Sequence, residues 1–487
     1  MAKDLSEEIV RLFEVGREGF KEIKSGNMFT ILYVTEPTIR FRAHSSTMFS
    51  LDFRHLRTFY TSSELLTTDL VFFYKRENHD LVNKLFGVMK TFLSVNKGLG
   101  FNLDMDLKPV DDDPYNHVVK VLKGATEASS SNTIVGAATP RLGRAGYWLV
   151  KAYSIIARIP THIINTTRLS EMVQKCREKG VEPENCSGFT AYALNNIVQL
   201  YAKAGGIPWA PGEEELLQDK VVIGLATSPM TQGYAVGVAY AVAYVGKEIR
   251  SFVTTATIDV AGLDMDMVRS RGIYIPKKVI AQLLSKISEY VTHYRIRGYV
   301  IFQTPIVVEE EIEGISSTLK EAPWILVHVK THGFVKRVYD MGTDDWGPYR
   351  GLCVINKDYL DKFKDGGMIK ALLLATGRIR LQRRSMKGVE SEEKLLYVGT
   401  PKPLELEIFV DKSCAKNYDP KALTAYVSRL TLLLGKLDWE ALRWPKEPFV
   451  IKYARRMARI IAGVDDKTRE ALLNVLSKRV FAHRYIM

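Results

Sequence analysis

The alternation of short apolar runs with helical periodicity between residues 66 and 207 constrains the fold of this chain more than any other feature. LTTDLVFFYKRENHDLVNKLFGVMKTFL reads as a buried strand, a turn and an amphipathic helix, and SNTIVGAATP reads as a second buried strand. A helix containing GYWLVKAY follows. Strands that alternate with helices build a parallel sheet, so an α/β layer is predicted. KGATEASSSNT, polar and small, reads as a loop at its edge.

From DKVVIGLATS onward the order changes. YAVGVAYAVAYV and EIRSFVTTATID follow across short turns, which predicts an antiparallel meander, and PKKVIAQLLSKISEYVTHY predicts a long helix. RGYVIFQTP, PWILVHVKTH, GLCVI, ALLLATG and PLELEIFV add strands; EEEIEGISSTLKE, DPKALTAYVSRLTLLL and PFVIKYARRMARIIAGV add helices. This is the order of an RNase-H-like fold. Before residue 66, LSEEIVRLFEVGREGFKEI has helical spacing, and FTILYV and TIRFRA read as strands. A chain of 487 residues suits two or three domains. The predicted division is a small N-terminal element over 1–65, a Rossmann-like α/β domain over 66–207 and an RNase-H-like domain over 208–487.

Residues 147–209 carry side chains suited to a nucleic-acid end. Tyr147 and Lys151 stand at an i, i+4 interval, which puts a ring and an ammonium on one helical face. His162 follows in RIPTHII, and NNIVQLYAKAGGIPW sets Gln199 and Lys203 one turn apart before Gly205 and Gly206. A terminal phosphate needs several N–H or ammonium donors at once, and a terminal base needs a flat surface to stack on. A single Tyr–Lys pair is ordinarily a solvated surface pair; the order of all the pieces points to a pocket. The formal net charge of +13 favours a polyanionic partner, although charge alone does not separate nucleic acid from an anionic membrane.

Y-x-x-x-K, then IPTH where a Gln is usual, then N-x-x-x-Q-x-x-x-K-x-G-G-x-P-W, resembles the MID domain of Argonaute proteins, most of all the short prokaryotic, archaeal-type kind. The long region after it resembles a PIWI domain. No segment between the N-terminal element and the MID-like domain is long enough for a separate PAZ domain, so the resemblance covers MID and PIWI. In that family the Tyr stacks on the first guide base while Lys, Gln and Lys hold the guide's 5′ phosphate. Those roles are implied for Tyr147, Lys151 and Lys203. His162 replaces the usual Gln, with a donor capacity that depends on pH, and Gln199 stands where some relatives carry a second Lys.

Relatives that cut use carboxylates to hold two divalent metals, one activating water and the other stabilising the leaving oxygen. Their first strand reads like I-G-I-D; here Ile223, Gly224 and Leu225 lead to Ala226. The second position falls in Gln303, Thr304 and Pro305, and at the third Arg455 follows Tyr453 and Ala454. A methyl group, a hydroxyl and a cation stand where ligands are expected, which implies a catalytically inactive domain. The rival readings are a guided metal-dependent endonuclease with a displaced site, rebuilt from Asp259, Asp264 or Asp266, and a scaffold with a vestigial pocket.

Arg455, Arg456 and Arg459 in KYARRMAR, with Arg378, Arg380, Arg383 and Arg384 in GRIRLQRRSMKG, are candidates to meet the backbone of a guide–target duplex. The C-terminal carboxylate of the family reaches the MID pocket and helps bind a divalent ion, which implies that role for Met487 and Mg2+ as the ion; the alternative is a tail that packs and ligates nothing. The resemblance implies capture of a 5′-phosphorylated guide, RNA by family analogy, and its pairing with an invading target, DNA by the same analogy. Without cutting, recognition needs a separately encoded effector, and inactive short relatives are commonly encoded beside membrane-acting, NAD-consuming or nuclease partners. Antiviral or anti-plasmid defence through death of the infected cell is the implied role.

Cys176, Cys186, Cys353 and Cys414 form no C-x-x-C pair and have no neighbouring His cluster, which argues against zinc. Cys176 and Cys186 bracket REKGVEPEN and are read as free thiols, with a disulfide of the kind seen inside hyperthermophiles as the alternative. No stretch reaches the roughly 18 consecutive apolar residues of a spanning helix, and MAKDLSEEIVRLFEVG lacks a signal core. A cytoplasmic location is therefore expected.

Overall fold

A computed structural model describes residues 12–14, 19–41, 45–46, 60, 65–125, 132–140, 142–231, 233–246, 248–304, 307–320, 322–330, 348–381, 394–398, 403–440, 447–477, 483–485 and 487. The start of the predicted first helix, the centre of the KGATEASSSNT loop, Pro305, Arg383 and Arg384 lie outside the described residues.

Two strands, β1 (Phe20–Ser25) and β2 (Phe29–Val34), make an antiparallel hairpin. The helical spacing read through residue 23 therefore fails from Phe20 on. Ladder pairing of Phe20 with Val34 and Ser25 with Thr30 satisfies this backbone instead. Among the described residues of TIRFRA, two form β3 (Ile39–Arg40), beside β4 (Ser45–Ser46).

The Rossmann-like layer is built from β5 (Leu66–Lys75), α1 (His79–Val95), β6 (Phe101–Val110), α2 (Pro114–Gly124), β7 (Thr133–Thr139), α3 (Arg144–Ala157), β8 (Thr161–Asn165), α4 (Thr166–Glu178) and α5 (Ser187–Lys203). Its sheet has the order β6-β5-β7-β8, parallel throughout. Strand β6 was not read from FNLDMDLKPV. As an edge strand it buries Phe101 and Leu103 while Asn102 and Asp104 face water, so charge interrupts the apolar run that marks its neighbours. Successive residues of β5 feed different layers. Phe72 packs on Phe86 of α1, and Phe73 joins Val118 of α2 and Val150 of α3.

The chain then ties itself back through β9 (Ala210–Pro211), which pairs with β3. The carboxyl part comprises β10 (Lys220–Pro229), β11 (Tyr234–Val245), β12 (Glu248–Asp259), α6 (Met265–Arg271), α7 (Lys277–Val291), β13 (Gly298–Gln303), α8 (Glu309–Thr318), β14 (Trp324–Lys330), β15 (Leu352–Asn356), α9 (Lys357–Asp361), α10 (Phe363–Gly366), β16 (Met368–Leu374), β17 (Gly377–Leu381), β18 (Lys394–Val398), β19 (Pro403–Val410), α11 (Lys412–Ala415), α12 (Pro420–Lys436), α13 (Phe449–Ala462) and α14 (Asp466–Leu476). One ten-stranded sheet runs β1-β2-β15-β16-β19-β14-β13-β10-β11-β12. The hairpin assigned to a small N-terminal element is thus the edge of this sheet.

The meander β10-β11-β12 is antiparallel, as its short turns predict, whereas β13 lies parallel to β10 after the α7 crossover. Helices α7 and α8 cover one face and α12 and α13 the other. The crossing of α13 over β10 needs glycine: a Cβ on Gly224 would lie 2.2 Å from the Val450 carbonyl oxygen. This approach brings the far turns of α13 beside α3 and the Rossmann-like layer, where Gly463 packs on Trp148. Among the described residues no helix is long and apolar enough to cross a membrane.

Candidate nucleic-acid interface

The sequence-predicted side chains of residues 147–203 do converge, and they meet groups from the carboxyl part. Helix α3 supplies Tyr147 and Lys151, β8 supplies His162, and the last two turns of α5 supply Asn196, Gln199 and Lys203. Helix α13 adds Lys452 and Arg456, and the chain leaving α12 adds Asp438 and Glu440. A turn at His483–Tyr485 brings Met487 to the same place, where it is 1% exposed.

Lys151 is 2% exposed and its ammonium donates to the backbone oxygen of Met487. The same ammonium lies 5.8 Å from the Tyr147 ring centroid, so ring and cation are neighbours on one helical face, as their interval predicts. Tyr147 itself is half-buried with its ring edge on Trp148, and burial pushes its hydroxyl up. Burial drives Lys151 well below the usual lysine range, with Lys203 and Arg456 adding repulsion. Burial likewise brings Lys203 down to about 8. Cations held in such surroundings are stabilised by an anion that enters among them.

His162 is 1% exposed, and both of its ring nitrogens have partners within the protein. Its Nδ1 lies 3.0 Å from the Lys203 ammonium, which has no acceptor capacity, so Nδ1 accepts and Nε2 carries the proton. Nε2 donates to Asn196 Oδ1 at 2.8 Å, and Asn196 in turn donates to the Tyr192 carbonyl. Burial and the neighbouring Lys203 hold the ring neutral, well below the ordinary histidine value. His162 thus accepts directly from Lys203, while Asn196 holds the ring on its other side. Gln199 donates to the Glu440 carbonyl at 3.1 Å.

Arg456, expected to meet a duplex backbone, is half-buried and pairs within this cluster. Its Nη1 donates to Glu440 at 2.5 Å, and Lys452 meets the other Glu440 oxygen at 2.7 Å and Asp438 at 2.7 Å. Burial opposes the charge on Glu440, but Arg456 and Lys452 outweigh it and hold the carboxyl well below the usual range. Asn196, Asp438, Glu440 and Lys452 were not read from the sequence. The i, i+4 spacing of Lys452 and Arg456 is a usable signal for two cations on one helical face. Nothing local marks Glu440.

These groups do not suit a divalent cation. The Met487 oxygen already accepts from an ammonium and the Glu440 carboxylate from two cations. Among the described residues no group of three or more His, Cys, Asp or Glu is placed to hold a metal ion. No step is assigned to Mg2+ here.

Ala226 is buried on the face of β10 covered by α13, and one step beyond the Leu225–Gln303 pair of the parallel ladder lies Thr304. The two positions are therefore neighbours at the same end of adjacent strands. Gln303 points to the opposite face and donates to the buried Glu311. Arg455 pairs with Glu447. Asp259 caps the turn after β12 and Asp264 caps α6, accepting from backbone N–H groups. Arg459 is exposed on α13, and burial together with the nearby cations Arg455 and Arg144 lowers its guanidinium. Arg378 and Arg380 lie on β17, paired with β18 in a separate two-stranded sheet.

Cys176 and Cys186, read as free thiols, form a disulfide with Cα atoms 5.8 Å apart. It joins the last residues of α4 to the first of α5, the helix that carries Lys203. Cys353 and Cys414 are free.

No protein-family model matches the sequence, and no curated protein matches it. Solved structures do match in fold. Drosophila Piwi superposes with a TM-score of 0.55 at 15% identity, over 89% of this chain and 54% of that one. Clostridium butyricum Argonaute, bound to a guide DNA with a 5′ deoxycytidine and a 19-mer target DNA, superposes with a TM-score of 0.60 at 14% identity, over 92% of this chain and 53% of that one. This chain thus spans about half the length of each. A parallel four-stranded layer followed by a mixed ten-stranded sheet agrees with the superpositions: the chain has the Argonaute–Piwi fold.

Proposed function

We propose that this chain captures the 5′-phosphorylated end of a guide strand in the pocket between its two layers and pairs the guide with a complementary target without cutting it. The observation that carries the reading is the cluster of Lys151, Lys203 and Arg456 beside the Tyr147 ring, from elements far apart in sequence. Ammonium and guanidinium groups donate to phosphate oxygens, and the ring offers a face to the first base. Base pairing then supplies sequence specificity, and the protein supplies end capture and backbone contacts. An RNA guide and a DNA target are part of the proposal, as is a separate effector that converts recognition into antiviral or anti-plasmid defence.

The absence of cutting is argued from Ala226 and Thr304, side by side where carboxylates would bridge metals, and from the Arg455 cation. The test compares 5′-phosphorylated and 5′-hydroxyl oligonucleotides of one sequence by fluorescence anisotropy, with wild-type chain and with Lys151→Ala, Lys203→Ala and Tyr147→Ala. Equal affinity of the wild-type chain for both ends would overturn the reading.

A further inference from the structure

Glu440 is the carboxylate set among the clustered cations. Its carboxylate accepts from Arg456 at 2.5 Å and from Lys452 at 2.7 Å, while its carbonyl accepts from Gln199 at 3.1 Å. Its charge also bears on Tyr147, Lys151, His162 and Lys203, the groups that line the rest of the space. A carboxylate oxygen and a phosphate oxygen make the same demands on these donors. Glu440 and a guide-end phosphate therefore compete for one set of N–H groups.

We infer that Glu440 is a specificity-determining residue, an internal anion that occupies Arg456 and Lys452 until a terminal phosphate displaces it. The inference rests on the guide-end reading above. Clustered buried cations without a resident acid would attract any small anion, including inorganic phosphate. A resident carboxylate sets a threshold against such ligands, because each must first take the donors from Glu440. A strand end passes the threshold by adding the stacking of its base on Tyr147 to the contacts of its phosphate. Lys452 keeps Asp438 as a second acid at 2.7 Å, so the exchange leaves it paired and frees chiefly the Arg456 guanidinium.

A positioning role for Glu440, holding Arg456 ready for phosphate, has the opposite sign. The full chain, stripped of copurifying nucleic acid, is titrated with 5′-phosphorylated and 5′-hydroxyl oligonucleotides, and with inorganic phosphate by calorimetry. Glu440→Gln is expected to bind the phosphorylated end and inorganic phosphate about tenfold more tightly, with the hydroxyl end unchanged. Weaker or unchanged phosphate binding overturns the inference. Should Glu440→Gln lose its cooperative unfolding transition, Glu440→Asp keeps the charge and shortens the reach. It is expected to gain about threefold, and no gain overturns the inference. A wild-type chain that binds both ends equally refutes the guide-end reading instead, and the inorganic phosphate arm still decides Glu440 by the same two outcomes.

Discussion

Lys203 donates to Nδ1 of His162 at 3.0 Å, and this contact sets the imidazole as the Nε2–H tautomer. One acceptor toward Lys203 and one donor toward Asn196 is the hydrogen-bonding pattern of a glutamine amide. The imidazole, standing where the resembled family usually carries Gln, therefore presents the donor–acceptor pair that a Gln amide offers.

His162→Gln should accordingly keep binding of a 5′-phosphorylated oligonucleotide within about threefold, and His162→Ala should lose about tenfold, since an ammonium loses its acceptor. The folded ring resists a proton that the unfolded chain takes up near pH 6.5, so the contribution of His162 to stability is complete above that pH and is lost as pH falls through it. Thermal unfolding between pH 7.5 and 5.5 should show a smaller loss for His162→Gln than for wild type. Parallel losses would contradict the assignment.

Affinity for the phosphorylated end should fall as pH rises through about 8, where the unliganded Lys203 gives up its proton. A bound phosphate raises that ammonium's pKa, so the decline starts at the free-state value and continues above it. Anisotropy titrations from pH 7 to pH 9.5 check this, with Lys203→Ala as the comparison, whose profile should be flatter.

Reduction of the Cys176–Cys186 disulfide should lower stability by about 3 kcal/mol, the entropy of a loop closed over a sequence separation of 10. Because Cys186 is the N-cap residue of α5, the loss should appear as faster hydrogen exchange in α5 near residue 187. Equal unfolding midpoints with and without reductant would show that the bond adds nothing.

Ala226→Asp places a carboxylate on a fully covered strand face beside Thr304, and should destabilise the chain by roughly 3 kcal/mol in urea unfolding. It should yield no cleavage with Mg2+ or Mn2+, because one carboxylate does not build a two-metal clamp. Guided cleavage by the wild-type chain, retained after exhaustive purification, would refute the non-cutting proposal.

Arg459 is exposed on α13 beside Arg455 and Arg144, outside the pocket itself. If this surface meets duplex phosphates, Arg459→Ala should reduce the slope of log affinity against log salt by about 0.9. The slope for a single-stranded 5′ end should change less.

The periodicities that named β5, β7, β10 to β14 and helices α3, α5 and α13 are properties of a few consecutive residues, and side-chain alternation reports them directly. Where burial was partial the pattern blurred. Charge interrupts the apolar run of β6, and Phe20–Ile23 has a helical spacing that its hairpin partner overrides. Tyr147, Lys151 and Lys203 were legible because an i, i+4 interval and a Gly-Gly turn state their geometry in one local segment.

By itself the sequence determined the order of the layers and the aromatic and cationic residues of the Rossmann-like half. The resemblance implied that Met487 reaches this site; the tertiary structure sets it on Lys151, 336 residues away, and pairs Arg456 with Glu440. Contacts across such separations follow from how α13 crosses β10 at Gly224 and docks beside α3. No local spacing encodes that docking, because it depends on two surfaces fitting each other after both have formed.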